Sequence, residues 1–202
     1  MLRHIPALMD KGKPVSVLFT EEDGESSDLM YCELIQEARF GKSFLVRNQG
    51  CKVGAYVLKE IELSPEDYYY TTGRYRDRNA ARRAVTNLSR LKKKPKSIKI
   101  TPYQGEDFDI LILFPKPEQA MRLVQAYTYL EGRRVDIKAG GIASVCSECT
   151  AYPMQGSMAI SPGCKGSRKH SKYSGEELLI GIPFPLSEEI DSALGKIPGT
   201  LA

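Results

Sequence analysis

The chain has 202 residues, 42% of them hydrophobic and 27% charged, which is typical of a folded soluble domain and excludes a disordered or fibrous chain. Its net charge of +4 is too small to indicate nucleic-acid binding by itself. The start, MLRHIPALMDKGKP, lacks the apolar run of a secretory signal, and the longest apolar stretch, ILILF at 110–114, is too short to cross a bilayer. We therefore expect a cytoplasmic protein without a membrane segment, whose cysteines stay reduced.

Apolar periodicity, helix caps and glycine or proline breaks predict the elements of the chain. In order, these are a strand at 13–19, helix at 26–39, strand at 43–48, helices at 63–70 and 77–91, strands at 97–103 and 108–114, helix at 117–132, strand at 133–139, helix at 144–151, strands at 157–161 and 177–184, and helix at 186–197. Strands and helices mix without strict alternation. This pattern predicts one α+β domain over 1–202, with a mixed, partly antiparallel sheet flanked by helices.

The tripeptide Gly-Cys-Lys occurs twice, in QGCKVG at 49–54 and in PGCKGS at 162–167. The second copy lies in a glycine-rich segment at 139–176, which also contains the C-x-x-C motif CSEC. Glycine lets backbone approach a sulfur closely, and Lys52 and Lys165 add positive charge that favours a thiolate. We therefore predict a ligand or reactive role for Cys51 and Cys164. The place of Cys32 on a helical apolar stripe favours a core position.

The five cysteines are compatible with more than one chemistry. An iron–sulfur cluster needs three or four thiolates, which would come from separate segments here because the consecutive spacing of bacterial ferredoxins is absent. A zinc ion could instead be bound by Cys146, Cys149, Cys164 and His170. Thiol redox chemistry at CSEC is disfavoured because no strong strand leads into the motif. Common hydrolase, nucleotide-binding and zinc-protease motifs are absent, so the sequence leaves open whether the protein is an enzyme.

A basic stretch runs from Arg74 to Lys96, contains Asp77 as its single acid, and follows three consecutive tyrosines at 68–70. The predicted helix within it is either a solvated face or a docking site for an acidic protein partner or an anionic cofactor. The modest net charge of the chain argues against nucleic acid as the partner.

Two blocks of the sequence resemble a known family. CELIQEARFGKSFLVRNQGCKVGAYVL at 32–58 is similar to the opening block of domain of unknown function 169, an uncharacterised prokaryotic family frequent in archaea and anaerobes. SVCSECTAYPMQGSMAISPGCKGSRKHSKYSGEELLIGIP at 144–183 is similar to its closing block. The matching positions are Cys32, Ala38, Gly41, Cys51 and Gly54 in the first block, and Cys146, Pro153, Gly163, Cys164, Gly166, Arg168, Glu177, Leu178 and Pro183 in the second.

The resemblance implies Cys32, Cys51, Cys146 and Cys164 as the family cysteines, with Cys149 an addition. It favours a four-thiolate site over zinc. We therefore predict a metal centre, a 4Fe–4S cluster bound by those four cysteines, whose negative charge is offset by Lys52, Lys165 and Arg168. The protein would be an electron carrier or an accessory protein of a larger redox enzyme. The alternative is a non-redox protein that binds zinc or a small ligand and whose cysteines are mainly structural.

Overall fold

Seven strands form one sheet in the order β2-β3-β4-β1-β5-β7-β6 in the computed structural model, which describes residues 1–198. Every neighbouring pair is antiparallel except β2 and β3, which are parallel. The strands are β1 Val15–Thr20, β2 Glu25–Ser26, β3 Phe44–Asn48, β4 Ser97–Pro102, β5 Ile110–Leu113, β6 Ala159–Ser161 and β7 Leu179–Pro183. The predicted α+β class with a mixed, partly antiparallel sheet is confirmed; residues 199–202 of the predicted domain lie outside the described part.

Eight α-helices, a π-helix and a short 3-10 helix surround this sheet within the described residues. The α-helices are α1 His4–Ala7, α2 Tyr31–Arg39, α3 Lys52–Val57, α4 Glu66–Thr71, α5 Arg78–Thr86, α6 Pro117–Glu131, α7 Lys165–His170 and α8 Phe184–Leu194. The π-helix is Ser144–Ala151, and the 3-10 helix is Pro153–Gln155. No helix within residues 1–198 has both the length and the apolarity that a membrane crossing requires.

The sheet separates two apolar layers. All four residues of β5 are buried, and their side chains alternate between the layers because successive strand residues point to opposite faces. Ile110 and Ile112 pack with α2, α3, α4, α5 and the π-helix, whereas Leu111 and Leu113 pack with α1, α6 and α8. Four of the five cysteines, Cys32, Cys51, Cys146 and Cys149, lie in or against the first of these layers, so any site that they form lies on that face of the sheet.

Most predicted elements are confirmed within a few residues, but three differences affect the site. The helix predicted from residue 26 begins at Tyr31, because Glu25 and Ser26 pair with β3 instead. The segments after Cys51 and Cys164, where no helix or strand is predicted, are the short helices α3 and α7. The strand predicted at 133–139 is wrong, since that segment has no regular secondary structure.

A buried ion pair fastens the layer that carries the cysteines. The guanidinium of Arg39, at the end of α2, donates two hydrogen bonds to the carboxylate of Glu177, at 2.9 and 2.6 Å. The two side chains are 3% and 8% exposed. Arg39 also donates to the carbonyl of Lys11 and lies 4.4 Å from the ring centroid of Phe114. The pair therefore joins the chain before β1, the end of α2 and the segment that leads into β7.

We expect Glu177→Gln to lower the free energy of unfolding by about 3 kcal/mol, because it leaves the buried Arg39 charge without its counter-ion. Denaturant unfolding measures the change. The matched control is Glu37→Gln, which breaks an ion pair with Lys42 in which both partners are well exposed, and which we expect to cost less than about 0.5 kcal/mol. Equal losses in the two variants would show that the buried pair has no special role.

Candidate functional site

One cavity of about 110 Å³ is lined by Cys32, Cys51, Cys146 and Cys164. This volume is well above the roughly 10–15 Å³ that holds one water molecule. The fifth cysteine, Cys149, is completely buried and is not among the lining residues. No aspartate or glutamate of residues 1–198 lines the cavity either. The structure thus brings together the same four thiols that the sequence singled out, from four separate segments of the chain.

Each of these cysteines lies at or near the beginning of a helix. Cys51 and Cys164 are the N-caps of α3 and α7, and Cys32 is the second residue of α2. Cys146 is the third residue of the π-helix. The first N–H groups of a helix have no partner inside that helix, so they are available to a sulfur. At Cys164 the contact is formed, because the Ser167 N–H donates to its Sγ at 3.4 Å.

The glycines that precede the two Gly-Cys-Lys cysteines have different roles. A Cβ on Gly50 would lie 2.0 Å from the carbonyl oxygen of Asp28, so only glycine lets this chain pass so close to the start of α2. Gly163 has a φ of +84°, a left-handed conformation that glycine adopts without strain. The glycine of the first tripeptide therefore allows two backbone segments to approach closely, whereas the glycine of the second forms a turn. The two stretches are alike in sequence, but their glycines have different structural roles.

Gln49 joins the segments that carry Cys32 and Cys51. Its buried side-chain oxygen accepts hydrogen bonds from the N–H groups of Tyr31, at 3.1 Å, and Cys51, at 2.8 Å. Its amide nitrogen donates to the carbonyl of Cys51 at 2.8 Å. One amide group thus fixes the beginning of α2 against the beginning of α3. Sequence patterns do not identify Gln49 as a site residue. The only local indication of its role is its position two residues before Cys51.

Two serines connect Cys164 to the π-helix. The hydroxyl groups of Ser144 and Ser167 are 3.3 Å apart, and both side chains hydrogen-bond Cys164. Burial alone would raise the pKa of the Cys164 thiol, but the hydrogen bonds from Ser144 and Ser167 outweigh it and bring the pKa below the ordinary thiol value. The thiolate form of Cys164 is therefore favoured more than that of an ordinary thiol.

Burial governs the thiols of Cys32 and Cys146. It raises the pKa of Cys32 to about 11, and the nearby Ser171 side chain offsets this rise in part. It raises the pKa of Cys146 well above the ordinary value, and the nearby thiolates of the other three lining cysteines raise it further. Close thiolates repel one another, so a cation among them would relieve this repulsion. Other lining cysteines contribute to the raised pKa values of Cys32 and Cys146, whereas hydrogen bonds account for the lowered pKa of Cys164.

The π-helix separates this cavity from a second, larger one. Its residue Cys146 faces the cysteine cavity, whereas Ser147 and Glu148 line a cavity of about 580 Å³ on its other side. Glu148 is 5% exposed, and its carboxylate accepts hydrogen bonds from the Gly140 N–H, at 2.6 Å, and from the Ser161 hydroxyl. Burial raises the pKa of this carboxyl group, and the hydrogen bonds lower it in part.

The predicted cationic residues do not line the cysteine cavity. Lys52 and Lys165 are exposed, and each lies in the chain between two residues that do line it. Arg168 instead donates to the carbonyls of Pro162, Ser174 and Glu177, and so fastens the chain around α7. The basic side chains that line the cavity are Arg74 and His170. The sequence placed Arg74 only at the start of the basic stretch and gave no sign that it borders the thiols.

The basic stretch is less positive than its sequence indicated. Within the described residues, Arg78, Arg82 and Arg90 form ion pairs with Asp67, Glu66 and Glu62, which lie in or just before α4. Much of the charge on α5 is therefore neutralised by an adjacent helix, which spacing along the chain does not reveal.

No three His, Cys, Asp or Glu side chains of residues 1–198 are grouped so that they could hold one metal ion. Four thiolates around one zinc ion, each about 2.3 Å from it, would lie only about 3.8 Å from one another. A cluster spreads its thiolates over several iron atoms and needs them farther apart. Thiolates from the four cysteines of this cavity are the kind of donor that both zinc sites and iron–sulfur clusters use.

The sequence model of the DUF169 family, described as Uncharacterised ArCR, matches residues 7–192. A curated protein of Methanocaldococcus jannaschii, described as uncharacterized, is 30% identical over 176 residues, which cover 81% of this chain and 75% of that protein. No solved structure matches the chain. The chain belongs to the DUF169 family, as the resemblance of its two cysteine blocks predicted.

We expect Gly181→Ala to lower the free energy of unfolding by about 2 kcal/mol or more, because its Cβ would lie 2.1 Å from the carbonyl oxygen of Cys149 in the π-helix. Gly175→Ala is the matched control, since no atom lies within 4 Å of its Cβ, and its effect should stay within about 0.5 kcal/mol. Denaturant unfolding compares the two. If the two variants are equally stable, the π-helix is free to move away from β7.

In the metal-free protein, we expect iodoacetamide to label Cys164 at lower pH than Cys32. The thiolate is the reactive form, and its fraction increases as the pH rises through a pKa that is lowered for Cys164 and is about 11 for Cys32. Peptide mass spectrometry over a pH series that spans the ordinary thiol pKa of about 8.5 gives the order of labelling. Ser144→Ala should delay the labelling of Cys164, and earlier labelling of Cys32 would contradict the assignment.

Proposed function

We propose that this member of the DUF169 family is a metal-centre protein that binds an iron–sulfur cluster of the 4Fe–4S type through Cys32, Cys51, Cys146 and Cys164. The protein then carries electrons or serves as an accessory protein of a larger redox enzyme. Since the ligands must stay reduced before the cluster is inserted, the proposal places the protein in the cytoplasm.

The observation that carries the proposal is the convergence of four thiols on one cavity, while the fifth thiol is excluded. Free cysteines that only fill space have no reason to meet, because any apolar side chain serves the core equally well. Here they come from residues 32 to 164, from four helix beginnings, and border an open volume. Three or four thiolates at one place is the donor set of iron–sulfur clusters.

When bound, a 4Fe–4S cluster supplies a centre that takes up or releases one electron. The residues of the chain hold the four ligands and control their surroundings. Gln49 fixes the Cys51 segment, and Ser144 and Ser167 donate hydrogen bonds at Cys164. Such hydrogen bonds to sulfur tune a reduction potential. Tyr31 and Tyr69, both almost fully buried, form part of the apolar wall of the cavity and limit the access of water to it.

A second candidate function is the binding of a small ligand without redox chemistry. The observation that favours it is the cavity of about 580 Å³ behind the π-helix, which falls within the 300–1,000 Å³ typical of ligand pockets. Tyr75 and Tyr152 give it aromatic surface, and Lys138 and Glu148 give it charge. A colourless, metal-free, folded protein would favour this candidate, and about one zinc per chain would favour a zinc site that includes Cys149 and His170 instead.

We expect protein purified without oxygen to be brown and to contain about four iron and four sulfide ions per chain. Cys51→Ala and Cys164→Ala should each lose more than about half of the iron, because each removes one ligand. Cys149→Ala is the matched control and should keep the iron content of the unaltered protein. Iron and sulfide analysis, with circular dichroism to verify folding, measures these outcomes. Equal iron loss in all three variants would contradict the assignment of ligands.

A further inference from the structure

Several exposed cationic side chains lie at, or next in the chain to, residues that line the cysteine cavity. Lys52 is flanked in the chain by Cys51 and Val53, and Lys165 by Cys164 and Gly166, and all four of these neighbours line the cavity. The two lysine side chains are exposed and are not among the lining residues, so each extends into solvent from a position adjacent in the chain to a lining cysteine. Lys169 is exposed and directly precedes His170, which is a lining residue.

Arg74 completes this group. It lines the cavity and is exposed, with its guanidinium 5.1 Å from the ring centroid of Tyr68 and 5.5 Å from that of Tyr69. It also donates a hydrogen bond to the Tyr68 hydroxyl at 3.2 Å. The two rings hold the cation in place, so little conformational entropy remains to be lost when a partner binds it.

We call Lys52, Arg74, Lys165 and Lys169 the cationic rim. None of them forms an ion pair within residues 1–198, in contrast to Arg78, Arg82 and Arg90 on and after α5. The carboxylate nearest in sequence to a lining cysteine, Glu33, accepts a hydrogen bond from the N–H of Met30 at 2.8 Å and forms no ion pair with the cationic rim. The cationic rim therefore consists of four cations without an ion-pair partner, beside a cavity that no acidic residue of the described part of the chain lines.

We propose that the cationic rim is the docking surface for an acidic protein that carries its own redox centre. This inference rests on the proposed function, because a partner that exchanges one electron with a group in the cavity must approach the opening. Charge complementarity steers such an encounter and orients it. Tyr68, which is 47% exposed, and the stacked Arg74 provide the tyrosine and arginine that dominate binding energy at protein interfaces.

The surface is tested with fluorescently labelled poly-L-glutamate as an acidic polypeptide probe, whose binding to the full chain is followed by anisotropy at low ionic strength. The rim variant is Lys52→Gln with Lys165→Gln. The matched control is Lys92→Gln with Lys93→Gln, which removes the same charge from two exposed lysines that form no ion pair within the described residues and lie away from the cysteine cavity. We expect the rim variant to bind the probe about fivefold more weakly and the control to change by less than about twofold.

Equal weakening of both variants would overturn the proposal, since it would mean that the probe responds to net charge alone. A larger effect of the control would move the docking surface to the end of the basic stretch and also overturn it. Stronger binding of single-stranded oligothymidylate than of poly-glutamate at the rim would replace the acidic protein by nucleic acid. Iron analysis of the same preparations tests the cluster separately. Protein that lacks iron but still binds the probe at the cationic rim would refute the cluster. Protein that contains iron but binds the probe equally well with and without the rim lysines would refute only the docking surface.

Discussion

The close approach of the π-helix to strand β7 is the contact on which the cysteine cavity depends. It is possible only because residue 181 is glycine, which leaves room for the carbonyl of Cys149. With the helix held there, Cys146 faces the cavity and Glu148 faces the opposite side. All eight residues of the π-helix are buried, so its unusual winding is maintained by packing on every side.

Other contacts bring the remaining segments to this helix. The Tyr31 hydroxyl lies 3.1 Å from that of Thr150, which joins α2 to the π-helix. Ser144 joins the π-helix to Ser167 in α7, and the Tyr173 hydroxyl donates to the carbonyl of Cys32 at 2.7 Å, which joins the chain after α7 back to α2. The cysteine segments are thus linked in a closed set of hydrogen bonds, and the geometry of one thiol depends on the others.

The sequence was informative where local rules apply. The apolar run of β5, the proline and Gly132 that bound α6, and the paired cysteine blocks could all be interpreted from neighbouring residues. The strand predicted at 133–139 failed because Val135 and Ile137 imitate strand alternation, yet no strand pairs with them and Ile137 is 59% exposed. Gln49, Ser144 and Arg74 could not be assigned, because their partners are brought to them only by tertiary structure.

The two-layer core also bears on whether the chain folds before or after its cavity is filled. The sheet, its ion pair between Arg39 and Glu177 and both apolar layers are built from the chain's own side chains, and the cavity is a small gap in one of them. A zinc finger folds only when its ion binds, because it has little other core. Under the proposed function, the cluster would therefore enter a chain that has already folded, and a cell short of iron would accumulate a folded precursor instead of an unfolded chain.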